Sequence, residues 1–244
     1  MSDDRDFRAV LLDIEGTTTS ISFVYDVLFP YARMNMQTFL EAQWSTPDVR
    51  ADVALLRKQA IEDHEAGENP PMISNGDDCD PSQAVASALW QMEHDRKTTG
   101  LKSLQGKIWK AGYQSGELKG HLYPEVADAI TRWVAEGIPV YIYSSGSVAA
   151  QQLLFGHSMA GDLRPSLSGY FDTTTGPKKQ ASSYSTIAEK IACNPTHLLF
   201  LTDSLAEAEA AREAGVQVML SSRPGNPAVP EHDFPVITSF EDIG

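Results

Sequence analysis

Hydrophobic and polar residues follow two different rhythms along the chain. From about residue 121 onward, short apolar runs at 139–146, 169–176, 197–203 and 216–222 alternate with segments whose apolar residues recur at helical spacing. Continuous apolar strands that alternate with helices are typical of a parallel sheet covered on both faces. This part of the chain therefore predicts a doubly wound α/β core.

The segment 20–118 has helical spacing and almost no strand signal. Helical patterns run over 20–44, 46–67, 81–100 and 101–120, and a polar loop rich in Pro, Gly, Asn and Asp precedes the third of them. An apolar run at 9–12 comes before this segment. The sequence thus predicts a core formed by 1–19 and 119–244, interrupted after its first strand by an all-helical cap, 20–118.

Two acids follow the first apolar run, in AVLLDIEG (9–16). Side chains alternate along an extended chain, so Asp13 and Glu15 share one face while Ile14 points away from them. Acids at a strand end are also common where a strand leaves the core. Two carboxylates on one face repel each other unless a cation or a proton lies between them, which favours a metal here.

Further polar side chains stand where the later strands end. Ser144 and Ser145 follow the second apolar run, Lys178 follows the short third one, and Asp203 closes the fourth. Each has a simpler interpretation: the serines and Asp203 suit helix N-caps, and Lys178 suits a solvated loop. Ligands of such sheets bind at the carboxyl ends of the strands. The four residues are therefore expected to meet there.

Together these groups favour phosphoryl transfer. A carboxylate can attack phosphorus and split one difficult hydrolysis into two steps. Carboxylate oxygens, a phosphate oxygen and waters are ligands that Mg²⁺ accepts. A serine loop, a lysine and the metal would neutralise charge on the phosphoryl oxygens.

Composition excludes several classes of protein. The 244 residues include 33 acids against 19 Lys and Arg, a net charge of −14, which opposes binding to nucleic acid or to an anionic membrane surface. No apolar stretch is long enough for a membrane span, and MSDDRDF (1–7) is not a secretory signal. A cytoplasmic protein is expected. Cys79 and Cys193 have no partners at metal spacing and are expected to be free thiols.

The motifs resemble those of a known superfamily. DIEGT (13–17), the strand-terminal Ser144, Lys178 and Asp203 are similar to the motifs of haloacid-dehalogenase phosphohydrolases, most of which have Asp where this chain has Glu15. In having Glu at this position, the chain is similar to the enolase-phosphatase (acireductone synthase) family of methionine salvage. The same family resemblance extends to TTTSISFVYDVLFPYAR (17–33), VYIYSSGSVAAQQLLF (140–155), GPKK (176–179), LFLTD (199–203) and RPGN (223–226).

The resemblance implies an enzyme with two activities and one Mg²⁺ per subunit. It would enolise 2,3-diketo-5-methylthiopentyl-1-phosphate and then remove phosphate to release 1,2-dihydroxy-3-keto-5-methylthiopentene. Asp13 would be the nucleophile, and Asp13, Glu15 and Asp203 would form the metal site. Glu15 would also be the general acid/base. A small-molecule phosphate ester is the expected partner, and a monomer is expected.

The resemblance also implies the phosphate contacts. Ser144 and Ser145 would bind the phosphate, and Lys178 would pair with it and with Asp13. We add Glu207 as a residue that orients these groups. The alternatives are another capped phosphatase without enolisation, a dehalogenase, and a non-catalytic binding module on the same fold. A dehalogenase needs no metal and would not benefit from Asp203. A non-catalytic binding module would not need the complete set of acids, serines and lysine.

Overall fold

A computed structural model describes residues 6–243, which form two compact units. One unit contains the chain up to Val24 and from Lys119 onward, and the other is Tyr25–Leu118. The boundary lies inside a π-helical turn, Phe23–Leu28, whereas the sequence pattern places it after residue 19. Residues 1–5 and 244 lie outside the described residues. They belong to the expected core, and residues 1–5 also belong to the segment that is expected not to be a secretory signal.

The second unit is helical throughout. Its helices are α1 (Phe29–Gln43), α2 (Pro47–Glu65), α3 (Pro81–Glu93) and α4 (Thr99–Ser115), with a short 3₁₀ turn at Gly76–Asp78. They surround an apolar cluster of fully buried side chains that includes Met36, Leu40, Leu56, Leu101 and Leu104. This packing of one apolar stripe per helix is what the helical spacing predicts.

The boundary between the third and fourth helices differs from the sequence pattern. The helix expected over 81–100 ends at Glu93, and Thr99 and Gly100 begin α4. Asp95 has φ 48, a left-handed conformation that stops a helix. A Cβ on Gly100 would lie 2.8 Å from the carbonyl oxygen of Asp52, so glycine lets α4 approach α2 closely. The close approach of α4 to α2 is a tertiary contact, and the spacing of apolar residues in the sequence does not reveal it.

The first unit contains a parallel sheet of six strands within the described residues. In chain order they are β1 (Ala9–Leu12), β2 (Val140–Tyr143), β3 (Gly169–Phe171), β4 (Leu198–Thr202), β5 (Gln217–Ser221) and β6 (Val236–Ile237). The spatial order is β3-β2-β1-β4-β5-β6, and every pair is parallel. The expected α/β class is confirmed. The sequence pattern missed β6, because two residues are too short for any periodicity.

Four helices pack on this sheet: α5 (Val126–Ala135), α6 (Val148–Gly156), α7 (Ala181–Lys190) and α8 (Leu205–Glu213). Short 3₁₀ turns lie at Arg164–Ser166, Pro195–His197 and Phe240–Asp242. The strands β1 and β4 are completely buried, as expected for a sheet with helices on both faces. Within residues 6–243, none of the helices combines the length and the apolar content that a bilayer span needs.

The strand order has one switch point, at β1. The chain continues from β1 to β2 and β3 on one side and returns to β4, β5 and β6 on the other. A crevice forms at such a point, outside the carboxyl ends of the two diverging strands. The residues that follow β1, β2 and β4 therefore share this edge.

The packing of α5 generates a stability prediction. The Trp133 ring is completely buried and contacts Phe240, with centroids 5.7 Å apart. Trp133→Ala is expected to lower the free energy of unfolding by about 3–5 kcal/mol, because it removes a large buried side chain. Urea unfolding followed by circular dichroism measures this. Val134→Ala, on the exposed side of α5, is the control, and equal small effects of both changes would contradict the assigned core.

Candidate active site

The loop after β1 holds Asp13 in one conformation. The backbone N–H groups of Thr17, Thr18 and Thr19 all donate to the carbonyl oxygen of Ile14, at 3.2, 3.0 and 3.0 Å. The Asp13 side chain is buried, and its Oδ1 accepts a hydrogen bond from the Ile14 N–H at 2.7 Å. This tight turn aims the Asp13 carboxylate at the carboxyl edge of the sheet.

Gly16 brings the β1 and β4 loops together. Its φ is +65, and a Cβ at this position would lie only 2.2 Å from Oδ2 of Asp203. Any side chain would push the two loops apart and strain the backbone. The glycine of DIEGT is therefore what lets Asp203 approach the loop that carries Asp13 and Glu15.

Lys178 is a buried cation between two carboxylates. Its Nζ lies 2.6 Å from Oδ1 of Asp13 and 2.7 Å from Oε2 of Glu207. Two tyrosine hydroxyls hold its loop: Tyr184 donates to the Lys178 carbonyl at 2.6 Å, and Tyr143 donates to the Gly176 carbonyl at 2.8 Å. The interpretation of Lys178 as a solvated loop residue is wrong, since its side chain is 8% exposed.

Thr202 links the same two acids from the other side. Its Oγ1 lies 3.0 Å from Oδ2 of Asp13 and 3.1 Å from Oε2 of Glu207. A hydroxyl has one proton, so it donates to one of these carboxylates at a time. Glu207, which the sequence suggests as an orienting residue, thus contacts Lys178 and Thr202, the two side chains that touch the Asp13 carboxylate.

The serine loop follows β2 on the same edge. Strand β2 pairs with β1, with Leu12 opposite Ile142. It ends at Tyr143, so Ser144 lies just beyond it at the same edge of the sheet. Ser144 is buried, and its Oγ accepts from the Gly146 N–H at 3.2 Å. The N-cap of α6 is Ser147, whose hydroxyl accepts from the Ala150 N–H at 3.3 Å. The interpretation of Ser144 and Ser145 as helix caps is therefore wrong.

This site belongs to a recognisable family. The model of haloacid dehalogenase-like hydrolases matches residues 7–215. Enolase-phosphatase E1 of Synechococcus elongatus is 52% identical over 234 residues, which are 96% of each chain. The chain belongs to the enolase-phosphatase family of the haloacid dehalogenase-like hydrolases. The resemblance seen in the motifs is confirmed.

Two further proteins are similar to this chain, one of them about twice as long and the other with a solved structure. The probable bifunctional methylthioribulose-1-phosphate dehydratase/enolase-phosphatase E1 of Populus trichocarpa is 48% identical over 242 residues, 97% of this chain and 47% of that protein. The crystal structure of the UTR4 protein of Saccharomyces cerevisiae matches with a TM-score of 0.79 and 34% identity, covering 97% of this chain and 100% of that one.

Negative charge exceeds positive charge in the enolase-phosphatase site. Burial and then Asp13 raise the pKa of Asp203 to about 7, with Lys178 opposing this shift and Glu15 adding to it. Burial and Asp13 also raise the pKa of Glu207, although Lys178 opposes them. Burial lowers the pKa of Lys178, but Asp13 and Glu207 outweigh it, so the net shift is upward and the lysine stays charged.

The sequence patterns missed several residues that support these groups. Tyr143, Tyr184 and Thr202 lie within apolar runs or helical patterns of the sequence, and these patterns assign none of them a role in the site. Thr19 Oγ1 lies 2.8 Å from Nδ1 of His121, which ties the end of the β1 loop to the chain just after residue 119. The contacts of Tyr143, Thr202 and Thr19 join residues far apart in the chain, so no local pattern predicts them.

RPGN (223–226) is a turn, with the Asn226 N–H donating to the Arg223 carbonyl at 3.0 Å, and it also supports the β1 loop. Arg223 Nε donates to the Thr17 carbonyl at 3.2 Å, and its Nη1 lies 2.6 Å from Oε1 of Glu125. Tyr123 and Phe240 stack on the guanidinium. The resemblance gives this motif no role, but the structure shows it holding the β1 loop.

The shifted pKa of Asp203 generates a pH prediction for the metal-free protein. The folded-state pKa, about 7, lies above the ordinary value of 3.8, so between these values the folded state keeps a proton that the unfolded chain loses. Stability from this group is complete below pH 3.8 and is lost as the pH rises through 7. Asp203→Asn should therefore melt higher than the wild type at pH 8 in EDTA, with the gap shrinking as the pH falls below 7.

Thermal melting at several pH values between 5 and 8 measures this gap. Glu209→Gln, an exposed acid of the following helix α8, serves as the control and should leave the pH dependence of melting unchanged. A melting difference between Asp203→Asn and wild type that stays constant with pH would contradict the assignment.

Proposed function

We propose that the protein is an Mg²⁺-dependent enolase-phosphatase acting on 2,3-diketo-5-methylthiopentyl-1-phosphate, which it enolises and then dephosphorylates. The observation that carries the proposal is the buried Asp13–Lys178–Glu207 ion-pair set at the switch point of the sheet. Membership of the enolase-phosphatase family supports the two reactions. The name of the poplar relative, which joins a methylthioribulose-1-phosphate dehydratase to an enolase-phosphatase, supports a methylthio sugar-derived phosphate as substrate.

Asp13 is the nucleophile of the phosphatase step. Its Oδ1 accepts hydrogen bonds from Ile14 N–H and Lys178, while Oδ2 accepts one, from Thr202. Oδ2 therefore keeps a lone pair that can attack phosphorus. A new bond forms between this oxygen and phosphorus as the ester P–O bond breaks, and water then hydrolyses the aspartyl-phosphate. Glu15 donates the proton that the leaving oxygen needs and later accepts one from the water.

The phosphate is bound by Ser144, Ser145 and Lys178. The serine loop is held from behind by Gln151, whose Nε2 donates to the carbonyls of Gly146 and Phe171, both at 2.8 Å. With its backbone fixed, the loop presents hydroxyl and N–H donors to the phosphoryl oxygens without rearranging. Lys178 supplies positive charge directly beside the attacking carboxylate.

The residues around Asp203 fit a single Mg²⁺. Within residues 6–243, no three His, Cys, Asp or Glu side chains enclose a cation by themselves. Mg²⁺ does not need such a cage, because it keeps several waters and takes one or two carboxylates together with a substrate phosphate. Asp13 and Asp203 would supply the carboxylates and Glu15 would complete the metal site; burial and then Asp13 raise the pKa of Asp203, and a bound cation would favour its charged form. When bound, Mg²⁺ polarises carbonyl and phosphoryl oxygens.

Enolisation needs one base and a polarised carbonyl. The C1 hydrogen of the diketone phosphate lies next to a carbonyl and is already acidic. Glu15 removes this proton, the C–H electrons form the C1–C2 double bond, and the carbonyl electrons move to oxygen, which takes up a proton from solvent to give the enol. The same carboxyl then carries the proton that the dephosphorylation step uses, so one acid serves both reactions.

The direct test is incubation with the diketone phosphate, followed by ultraviolet absorbance of the enol and by a phosphate assay. Asp13→Asn is expected to reduce phosphate release roughly 10⁴-fold or more, because the amide cannot attack phosphorus. Circular dichroism checks that the variant folds, and Asp48→Asn, an exposed acid of α2, is the control. Near-wild-type turnover by folded Asp13→Asn would remove Asp13 from this role. Phosphate release without an enol signal would favour a phosphatase that does not enolise.

Metal removal tests the cofactor separately. EDTA is expected to abolish phosphate release and added Mg²⁺ to restore it, while Ca²⁺ should support turnover poorly because it is larger and looser in geometry. Phosphate release from p-nitrophenyl phosphate is a convenient second assay. Full activity in EDTA after exhaustive dialysis would contradict Mg²⁺ dependence and favour metal-free chemistry of the dehalogenase kind.

A further inference from the structure

The side chain of Asn226 is fixed in one orientation beside the nucleophile loop. Its Nδ2 donates to the carbonyl of Gly16 at 2.9 Å and to the carbonyl of Ser221 at 3.2 Å. The reverse orientation would place Oδ1 against two carbonyl oxygens, which repel it. The amide nitrogen therefore faces these carbonyls, and Oδ1 must face the other way.

The Asn226 Oδ1 atom is buried, and none of the described residues donates a hydrogen bond to it. Its direction is clear from Gly16: a Cβ on that residue would lie 2.9 Å from Asn226 Oδ1 and 2.2 Å from Asp203 Oδ2. Both oxygens thus converge on the same side of Gly16, within about 5 Å of each other. Buried acceptors of this kind normally have a donor.

A single water can satisfy both oxygens. Water has two protons, and when it donates to two acceptors it spans about 4.5 Å, which lies within the limit of about 5 Å on the separation of these oxygens. Asp203 is also one of the residues proposed to hold Mg²⁺, an ion that keeps several waters in its coordination shell. Groups that hydrogen-bond such waters set the affinity and geometry of the ion.

We propose that Asn226 is a positioning residue for the cation at Asp203. Its Oδ1 accepts a hydrogen bond from a water of the Mg²⁺ shell, while its Nδ2 fixes the Gly16 carbonyl and hence the backbone next to Glu15. The proposal rests on the proposed Mg²⁺ dependence. It gives the RPGN motif a function beyond a turn, because the motif links the ion to the loop that carries the nucleophile.

The experiment is isothermal titration of Mg²⁺ into the metal-free protein without substrate. Asn226→Ala removes both the acceptor and the donor and is expected to weaken Mg²⁺ binding roughly 10- to 100-fold. Asn226→Asp keeps an acceptor but loses the donor, so it should bind Mg²⁺ more tightly than Asn226→Ala does. Ala228→Asp adds the same charge at an exposed position of the same loop and should bind like the wild type.

Melting in EDTA separates binding from stability. A lower melting temperature of Asn226→Ala with unchanged Mg²⁺ affinity would make Asn226 a purely structural clamp and overturn the proposal. So would Asn226→Asp binding no better than Asn226→Ala, since the Gly16 contact would then account for the effect. If the wild type itself binds no Mg²⁺, the proposed metal dependence fails first. Wild-type binding with an unaffected Asn226→Ala leaves that dependence intact and removes only the role of Asn226.

Discussion

Lys178, placed between the carboxylates of Asp13 and Glu207, is the interaction on which the active site depends. Three charges are buried there, and removing one partner of such a set leaves an uncompensated charge that costs about 3–5 kcal/mol. The surrounding structure is arranged accordingly: Tyr184 holds the lysine's own carbonyl, and Thr202 contacts both acids. The strand ends therefore serve first to hold one buried cation against the Asp13 carboxylate.

That single cation does not balance the site. Asp13, Glu15, Asp203 and Glu207 face one lysine, in a chain whose net charge is −14. Burial, and after it the charge of Asp13, raises the pKa values of Asp203 and Glu207. A divalent ion would relieve the imbalance and would let the site accept an anionic phosphate that the field of the whole protein otherwise repels. The same imbalance makes the metal-free protein sensitive to pH.

The β1 loop carries Asp13 and Glu15, and residues from several parts of the chain hold its backbone in place. Gly16 permits the close approach of Asp203, Arg223 holds the Thr17 carbonyl, and Asn226 holds the Gly16 carbonyl. The proposed attack of Asp13 on phosphorus requires its carboxylate to be positioned to within a fraction of an ångström. The rigidity of this loop comes from side chains that follow β5, more than 200 residues away in the chain.

The sequence by itself determined the parallel α/β core, the helical insertion and the convergence of Asp13, Lys178 and Asp203, because alternation of apolar runs and the rule that strand ends meet at one edge are local signals. Tertiary structure decided the rest. It placed the helix cap at Ser147, added β6, ended α3 at Glu93 and gave Glu207 its contact with Lys178. Such features depend on which distant groups come into contact, and that information is carried by packing and long-range hydrogen bonds, which no local pattern records.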